Sequence, residues 1–225
     1  MSAPGLILPS TGETLSTRLD GSADARALLV FGHGAGAGID HPLTARLAAA
    51  IAARNVTVMR FQFPFMERRG GRGFGRDSLA VGIEAVGAAV ACARDHAPGT
   101  SLFVGGHSYG GRIATHAVRD PELAAAAVKG IVCLSFPLHG AGRPAIEKGA
   151  HLPAIAKPML FVSGARDAMA CPPMFEALVA QCVDASLHRV EGADHGWKAG
   201  KRRWPRGPEA HVGALVADWI LARAG

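Results

Sequence analysis

The chain has 225 residues, of which 49% are hydrophobic and 19% charged, a balance typical of one globular domain spanning residues 1–225 rather than of a disordered chain. Four widely spaced cysteines without a CxxC pair argue against a zinc or redox motif, and no apolar stretch approaches the roughly 18 residues that a membrane span needs. The net charge of +6 is weak support for nucleic-acid binding, because the arginines fall in predicted loops rather than along a helix face.

The amino terminus, MSAPGLILPSTGE, lacks the basic segment and the long apolar run of a secretory signal. The cysteines are best interpreted as free thiols in a reducing compartment, so the sequence predicts a cytoplasmic protein. We expect no membrane partner, no nucleic-acid partner, no metal and no cofactor. The sequence is compatible with a homodimer.

Short apolar runs alternate with longer helical patterns along the chain. The runs predict strands at 27–31, 56–61, 102–104, 130–134, 159–162 and 187–190. The helical patterns cover 42–54, 77–96, 109–118, 172–182 and 208–224. Almost continuous apolar runs suit strands covered on both faces, so this alternation predicts a doubly wound α/β domain with a mostly parallel sheet of about six to eight strands flanked by helices.

The last predicted strand is the weakest of the six, and we expect it at an edge of the sheet. The proline-rich segment 136–157 is interpreted as a loop with one helical turn. It is too short for a separate lid domain.

The central motif is Gly-His-Ser-Tyr-Gly at 106–110, a G-x-S-x-G sequence between a predicted strand and a predicted helix. In that setting the motif places Ser108 on a very tight turn, where the glycines let strand and helix approach each other. The hydroxyl then projects above the sheet at a helix N-terminus, whose free N–H groups favour developing negative charge. The alternative is a glycine-rich turn without chemistry.

A serine hydroxyl needs a base before it can attack, and the base needs an orienting acid. Asp167 follows the fifth predicted strand and His195 follows the sixth, at the carboxyl ends where open α/β sheets place their sites. We predict Ser108 as nucleophile, His195 as general base and Asp167 as the acid, although Asp167 could instead cap the following helix. The weaker candidates for the acid are Asp194, Asp184 and Glu191.

The glycine-rich loop 32–38 follows the first predicted strand. Its backbone N–H groups are free of side-chain obstruction, so we predict an oxyanion hole formed by the N–H groups of Ala35 and Tyr109, with His33 fixing the loop. The alternatives are a flexible loop and a phosphate cradle, but the loop matches neither the P-loop nor the dinucleotide fingerprint. The residues predicted to contact substrate are Gly34, Phe65, His107 and Trp197.

Two predicted loops, 66–76 and 198–206, are rich in arginine and lysine. The first follows the second predicted strand and the second follows His195, so both should lie beside the nucleophile. We hypothesise that the positive electrostatic field of these two loops, the basic rim, raises the local concentration of an anionic substrate. The alternative is two solvated loops.

The segments HGAGAG, RFQFPF, GGHSYGGR, SGARD and ADHGW, in this order and spacing, resemble the lid-less α/β-hydrolases near the dienelactone hydrolases, over about residues 25–222. Within that group the resemblance is closest to the branch that includes a testis-expressed protein and a regulatory subunit of an acetyltransferase complex. The resemblance implies an α/β-hydrolase fold without a lid domain and a Ser108–His195–Asp167 triad.

The activity implied is that of a carboxylesterase-like or thioesterase-like serine hydrolase, which acts on small esters or thioesters through an acyl-enzyme. True dienelactone hydrolases have a cysteine nucleophile, so dienelactone is not the expected substrate. The branch also contains scaffold subunits. The alternative is therefore a catalytically silent scaffold or binding protein with this fold.

Overall fold

The computed structural model describes residues 5–121, 123, 128–200, 204–205 and 207–225. Its strands are β1 (Leu6–Ile7), β2 (Thr14–Leu15), β3 (Thr17–Asp20), β4 (Ala27–Gly32), β5 (Val56–Phe61), β6 (Ser101–His107), β7 (Val128–Leu134), β8 (Met159–Gly164) and β9 (Ala185–Val190). Its helices are α1 (Pro42–Ala52), α2 (Pro64–Glu67), α3 (Leu79–His96), α4 (Tyr109–Ala117), α5 (Pro172–Val179) and α6 (Glu209–Leu221), with a 3₁₀ turn at Leu152–Ala154.

Strands β3 to β9 form one sheet in the order β3-β5-β4-β6-β7-β8-β9. Strand β3 is antiparallel to β5, and every other neighbouring pair is parallel. The chain moves outward from β4 to β5 and then returns to β6 on the other side of β4. The carboxyl ends of β4 and β6 therefore flank a topological switch point, where open α/β sheets bind their ligands.

The apolar core lies on both faces of the sheet, and this explains the continuous apolar runs in the sequence. Helices α1 and α6 cover one face, while α3, α4 and α5 cover the other. Strands β4, β5 and β8 are buried at every position. The predicted doubly wound α/β architecture is confirmed, and so is the edge position of the last strand, which is only partly buried.

Strand β3 and the end of strand β6 depart from the sequence-based prediction, and the two-residue strands β1 and β2 were not predicted either. Strand β3 was not predicted because it is a short, polar, antiparallel edge strand, held in part by Arg60 of β5, whose Nε donates to Asp20 at 2.7 Å. Strand β6 extends beyond its predicted end through Gly105 and Gly106. A Cβ at these positions would lie 2.0 Å from the Val132 carbonyl oxygen and 2.1 Å from that of Gly32, so close strand contacts require glycine there.

The segment between β7 and β8, predicted as a loop with one helical turn, contains a 3₁₀ turn at Leu152–Ala154. All four cysteines are free thiols. None of the helices in the described part of the chain is both long enough and apolar enough to cross a membrane. Within the same residues, no group of three or more His, Cys, Asp or Glu side chains is arranged to hold a metal ion.

Candidate active site

Ser108 lies at the turn between β6 and α4, at the carboxyl edge of the sheet. Its φ of +51° and ψ of −111° form a backbone conformation that costs of order 1–3 kcal/mol for a residue with a side chain. The Ser108 N–H donates to the Leu134 carbonyl oxygen at 2.8 Å, which holds the turn against β7. A Cβ at Gly110 would lie 2.2 Å from the Gly32 carbonyl oxygen, so α4 can begin this close to β4 only with glycine.

The structure brings the three predicted catalytic side chains together. Ser108 Oγ lies 2.9 Å from His195 Nε2, and His195 Nδ1 lies 2.8 Å from Asp167 Oδ2 and 3.0 Å from Oδ1. A carboxylate only accepts hydrogen bonds, so Nδ1 carries the proton and Nε2 accepts the serine hydroxyl. Asp167 is completely buried, whereas the His195 ring is partly exposed. This arrangement can take a proton from Ser108 and hold the resulting imidazolium beside a buried carboxylate.

The other roles considered for the acid do not match the contacts. Helix α5 begins well after Asp167, whose Oδ1 instead accepts the Met169 N–H at 2.8 Å and closes its own loop. Asp194, the rival next to His195, accepts the N–H groups of Gly196 and Lys198 at 3.0 and 2.9 Å. Its carboxylate folds the loop that carries the base and does not contact the imidazole.

The loop predicted to supply an oxyanion donor is anchored by His33. This side chain is fully buried; Nδ1–H donates to the Gly34 carbonyl oxygen at 2.8 Å, and Nε2 accepts the Phe63 N–H at 3.0 Å. Both bonds together require a neutral ring, and burial lowers the pKa of His33 to about 4. The register of β4 and β6 sets Gly32 opposite Gly106, which places this loop beside the nucleophile turn.

Both predicted oxyanion donors lie on the wall of the cavity that contains Ser108. Tyr109 is the first residue of α4, where the backbone N–H has no partner within the helix. Ala35 is held through its carbonyl oxygen, which accepts the Gly75 N–H at 3.0 Å. The two residues can therefore present N–H groups to an oxygen that develops charge beside Ser108.

His107, the last residue of β6, links this strand to the loop that carries His195. Its Nε2–H donates to the His195 backbone carbonyl oxygen at 3.0 Å, and its Nδ1 would lie 3.0 Å from a Cβ at Gly34. Burial, and secondarily the neighbouring His195, lower the pKa of His107 to about 4. Gly34 and His107 both line the cavity, where the sequence placed them.

The two aromatic residues predicted to contact substrate lie elsewhere. Phe65 is 5% exposed and packs edge-on against the Tyr109 ring, with ring centroids 5.7 Å apart. Trp197 is 2% exposed and belongs to the core on the α1–α6 face of the sheet. The structure therefore gives both rings packing positions, because burying their large apolar surfaces stabilises the core.

The cavity has a volume of about 280 Å³ and is lined in part by residues that sequence reasoning did not assign to substrate. Arg76 was noted only as part of the first basic loop, and Arg112 only as the end of the GGHSYGGR segment. No sequence signal brings Lys148 to this place, because it comes from the irregular segment after β7. The lining residues without a predicted role in substrate binding or catalysis are Gly36, Ala37, Phe74, Arg76, Arg112, Pro137, Lys148 and Met169.

The predicted basic rim is present only in part. In the first loop, Arg68 is neutralised by Asp77 at 2.7 Å and by Glu13 at 3.0 Å. Of the described cations in the two loops, Arg76 alone lines the cavity, and Lys198 does not. The remaining cations of the second loop, Lys201, Arg202, Arg203 and Arg206, lie outside the described residues.

A second loop with the sequence His-Gly-Ala-Gly, residues 139–142, follows β7 and repeats the contacts of the first. His139 Nδ1–H donates to the Gly140 carbonyl oxygen at 2.8 Å, and Nε2 accepts the Cys171 N–H at 2.9 Å. This imidazole therefore ties the segment after β7 to the loop that follows Asp167. The sequence signal for this contact is the repeated tetrapeptide His-Gly-Ala-Gly.

Comparison with known proteins gives a family and a set of similar folds. A family model described as an alpha/beta hydrolase domain matches residues 25–212. The dienelactone hydrolase of Anabaena variabilis superposes with a TM-score of 0.76 at 16% identity, over 99% of this chain and 97% of that chain. A serine hydrolase without a lid from Xanthomonas campestris superposes with a TM-score of 0.71 at 18% identity, over 97% of this chain and 94% of that chain. The esterase domain of a Rhodothermus marinus protein superposes with a TM-score of 0.70 at 19% identity, over 98% of each chain.

Proposed function

Since the chain belongs to the family of alpha/beta hydrolase domains, with the fold that its sequence predicted, we propose that it is a serine hydrolase of small esters or thioesters. One observation carries this proposal: a continuous hydrogen-bonded relay from Ser108 through His195 to Asp167, with bonds of 2.9 and 2.8 Å. The relay opens into a cavity of about 280 Å³. That volume is at the small end of ligand pockets and favours a small substrate.

In the proposed reaction, Ser108 Oγ attacks the carbonyl carbon of the substrate while its proton passes to His195 Nε2. The electron pair of the C=O bond moves to oxygen, and the N–H groups of Ala35 and Tyr109 stabilise the resulting oxyanion. When the C=O bond re-forms, the bond to the alcohol or thiol breaks, and the leaving group takes the proton from His195. An acyl ester of Ser108 remains.

The second half of the cycle repeats these steps with water. His195 Nε2 removes a proton from the attacking water, a second oxyanion forms on the same N–H groups, and the bond to Ser108 Oγ breaks. Ser108 recovers its proton and the carboxylic acid is released. Throughout, Asp167 holds the ring in the required tautomer and stabilises the imidazolium without itself taking the proton.

The test is covalent labelling with a fluorophosphonate, which reacts with activated serines. We expect labelling of the folded protein at Ser108, loss of labelling in Ser108→Ala, and turnover of phenyl acetate that is lost in the same variant. Ser135→Ala is the matched control, because Ser135 also follows a strand and has the same φ of +51°. Labelling that persists in Ser108→Ala would contradict the assignment.

The alternative, a scaffold that keeps the fold without turnover, is favoured by the resemblance to the branch that contains an acetyltransferase-complex subunit. It predicts neither labelling nor turnover by correctly folded protein. Against it stands the burial of the Asp167 carboxylate, which is costly and which the contact with His195 compensates. The four free cysteines favour a reducing compartment, so the proposed place of action is the cytoplasm.

A further inference from the structure

Three cationic side chains line the cavity that contains Ser108, and no carboxylate of the described residues does. Arg76 precedes α3, Arg112 belongs to α4, and Lys148 lies between β7 and β8. These segments are far apart in the chain, so the convergence is produced by the fold and not by a local run of charge. It places a positive cluster against the proposed nucleophile.

Arg112 is the member of the cluster most closely tied to the nucleophile. It follows Ser108 by four residues, and its N–H donates to the Ser108 carbonyl oxygen at 3.0 Å. Residues four apart share a helix face, so its guanidinium leaves α4 on the face that begins with Ser108. Its Nε is buried without a hydrogen-bond partner in the described part of the chain. A buried donor of this kind is unfavourable unless an acceptor is supplied to it, and an anion in the cavity could supply one.

The other two cations add to the same local excess of charge. Burial lowers the pKa of Lys148, and the guanidinium groups of Arg112 and Arg76 lower it further. Within the described residues none of the three forms an ion pair, whereas Arg68, in the same predicted loop as Arg76, pairs with two carboxylates. Like charges gathered without a counter-ion repel one another, so an anion in the cavity would relieve the repulsion.

We propose that Arg76, Arg112 and Lys148 bind a small oxyanion of the substrate, a carboxylate or a phosphate, which makes the preferred substrate a short anionic ester or thioester. This inference rests on the proposed function and narrows its substrate class. Guanidinium groups suit both oxyanions, because their paired N–H donors match two oxygens at once. The rest of the lining is apolar at Phe74 and Pro137, which fits a short hydrocarbon link between the reacting carbonyl and the anion.

The first experiment measures binding without turnover. Succinate and inorganic phosphate are each titrated calorimetrically into two proteins, the single variant Ser108→Ala and the double variant that also carries Arg112→Met. We expect millimolar or tighter binding of at least one anion and a loss of about 10-fold or more with Arg112→Met. Arg143→Met is the control, because Arg143 is exposed and does not line the cavity. Failure of Ser108→Ala to bind either anion would overturn the inference, whatever the enzyme hydrolyses.

The second experiment compares monomethyl succinate with methyl succinamate, in which a neutral carboxamide of the same size replaces the carboxylate. The value of kcat/KM for monomethyl succinate, divided by that for methyl succinamate, should be about 10 or more in the wild type. This ratio should fall by about 10- to 100-fold in Arg112→Met and stay constant in Arg143→Met. Lys148→Met should also lower this ratio. If Arg112→Met does not fold, Lys148→Met takes its place in the experiment. The ratio should also fall as salt is added, since salt screens the cluster.

The pair 2-acetoxyethyl phosphate and 2-acetoxyethanol repeats the comparison with the anion as a phosphate on the alcohol side, and the pair with the larger ratio identifies the oxyanion. Equal turnover of charged and neutral partners in both pairs would overturn the inference and leave the proposed hydrolase intact. Binding of succinate or phosphate that depends on Arg112, with no turnover of any ester, would support the anion site and reject the hydrolase.

Discussion

Strands β6 and β7 are neighbours and end alike, yet only one of them carries the proposed chemistry. Each is followed by a serine with a φ of +51°, Ser108 and Ser135, and each serine N–H donates to a carbonyl of the next strand at 2.8 Å. Ser108 begins a helix and contacts His195. Ser135 is fully buried, and its hydroxyl has no partner among the described residues. The positive φ is therefore common to both strand ends, whereas the helix N-terminus and the contact with an imidazole distinguish Ser108, the proposed nucleophile.

Removing each hydroxyl separately should distinguish the two strand ends. Ser108→Ala should lower ester turnover by about 10,000-fold or more, as expected when a nucleophile is lost. Ser135→Ala should leave turnover within about 3-fold and change the free energy of unfolding by less than about 1 kcal/mol, because the hydroxyl removed is unpaired. Steady-state kinetics and urea denaturation measure both. A Ser135→Ala variant as inactive as Ser108→Ala would show that the two strand ends act together.

The loops after β4 and β7 extend the comparison, since both are His-Gly-Ala-Gly and both imidazoles make the same two kinds of hydrogen bond. Burial lowers the pKa of His33 to about 4 from the ordinary 6.5, so the unfolded chain binds this proton more tightly. The stability that the neutral ring contributes is present above about pH 6.5 and is lost as the pH falls towards 4.

Replacing His33 should therefore change the pH dependence of stability. In His33→Gln, the slope of the unfolding free energy against pH, measured in urea between about pH 4.5 and 6.5, should decrease by up to about 1.4 kcal/mol per pH unit. His139→Gln controls for the loss of equivalent hydrogen bonds. If His33→Gln keeps the wild-type slope, the imidazole at this position is protonated as readily in the folded protein as in the unfolded chain.

The glycines of the two loops offer the mildest test. A Cβ at Gly34 would lie 3.0 Å from His107 Nδ1, whereas a Cβ at Gly140 meets nothing within 4 Å. Gly34→Ala should lower kcat/KM by about 10-fold, because it displaces the loop of Ala35, the proposed oxyanion donor. Gly140→Ala should stay within about 2-fold. The reverse order of effects would mean that the loop after β7, and not the loop after β4, supports the reaction.

Chain position relative to the predicted strands was sufficient to predict that the three proposed catalytic side chains lie together. Ser108, Asp167 and His195 each follow a strand, and the carboxyl ends of parallel strands meet at one edge of a sheet. The same logic placed Ala35 beside the nucleophile, because β4 pairs with β6. These residues were predictable since backbone topology alone decides where they lie.

Residues whose position depends on side-chain packing were not predictable in this way. Phe65 and Trp197 stand close to motif segments in the sequence, but packing turns both rings into the core. Lys148 reaches the cavity through an irregular segment without a periodic pattern. Strand β3 is polar and short, so the hydrophobic periodicity that revealed the other strands of the sheet is absent from it.

The hydrogen bond from His107 to the backbone of His195 has a kinetic consequence. It holds the His195 imidazole 2.9 Å from Ser108 Oγ before any ligand arrives, so the proposed reaction needs no slow rearrangement of the His195 loop after substrate binds. In stopped-flow traces the first product should accordingly emerge without a lag phase. If no loop has to close, the binding free energy of the substrate is not reduced by the cost of that closure. It can then contribute in full to the selection of one acyl group over another.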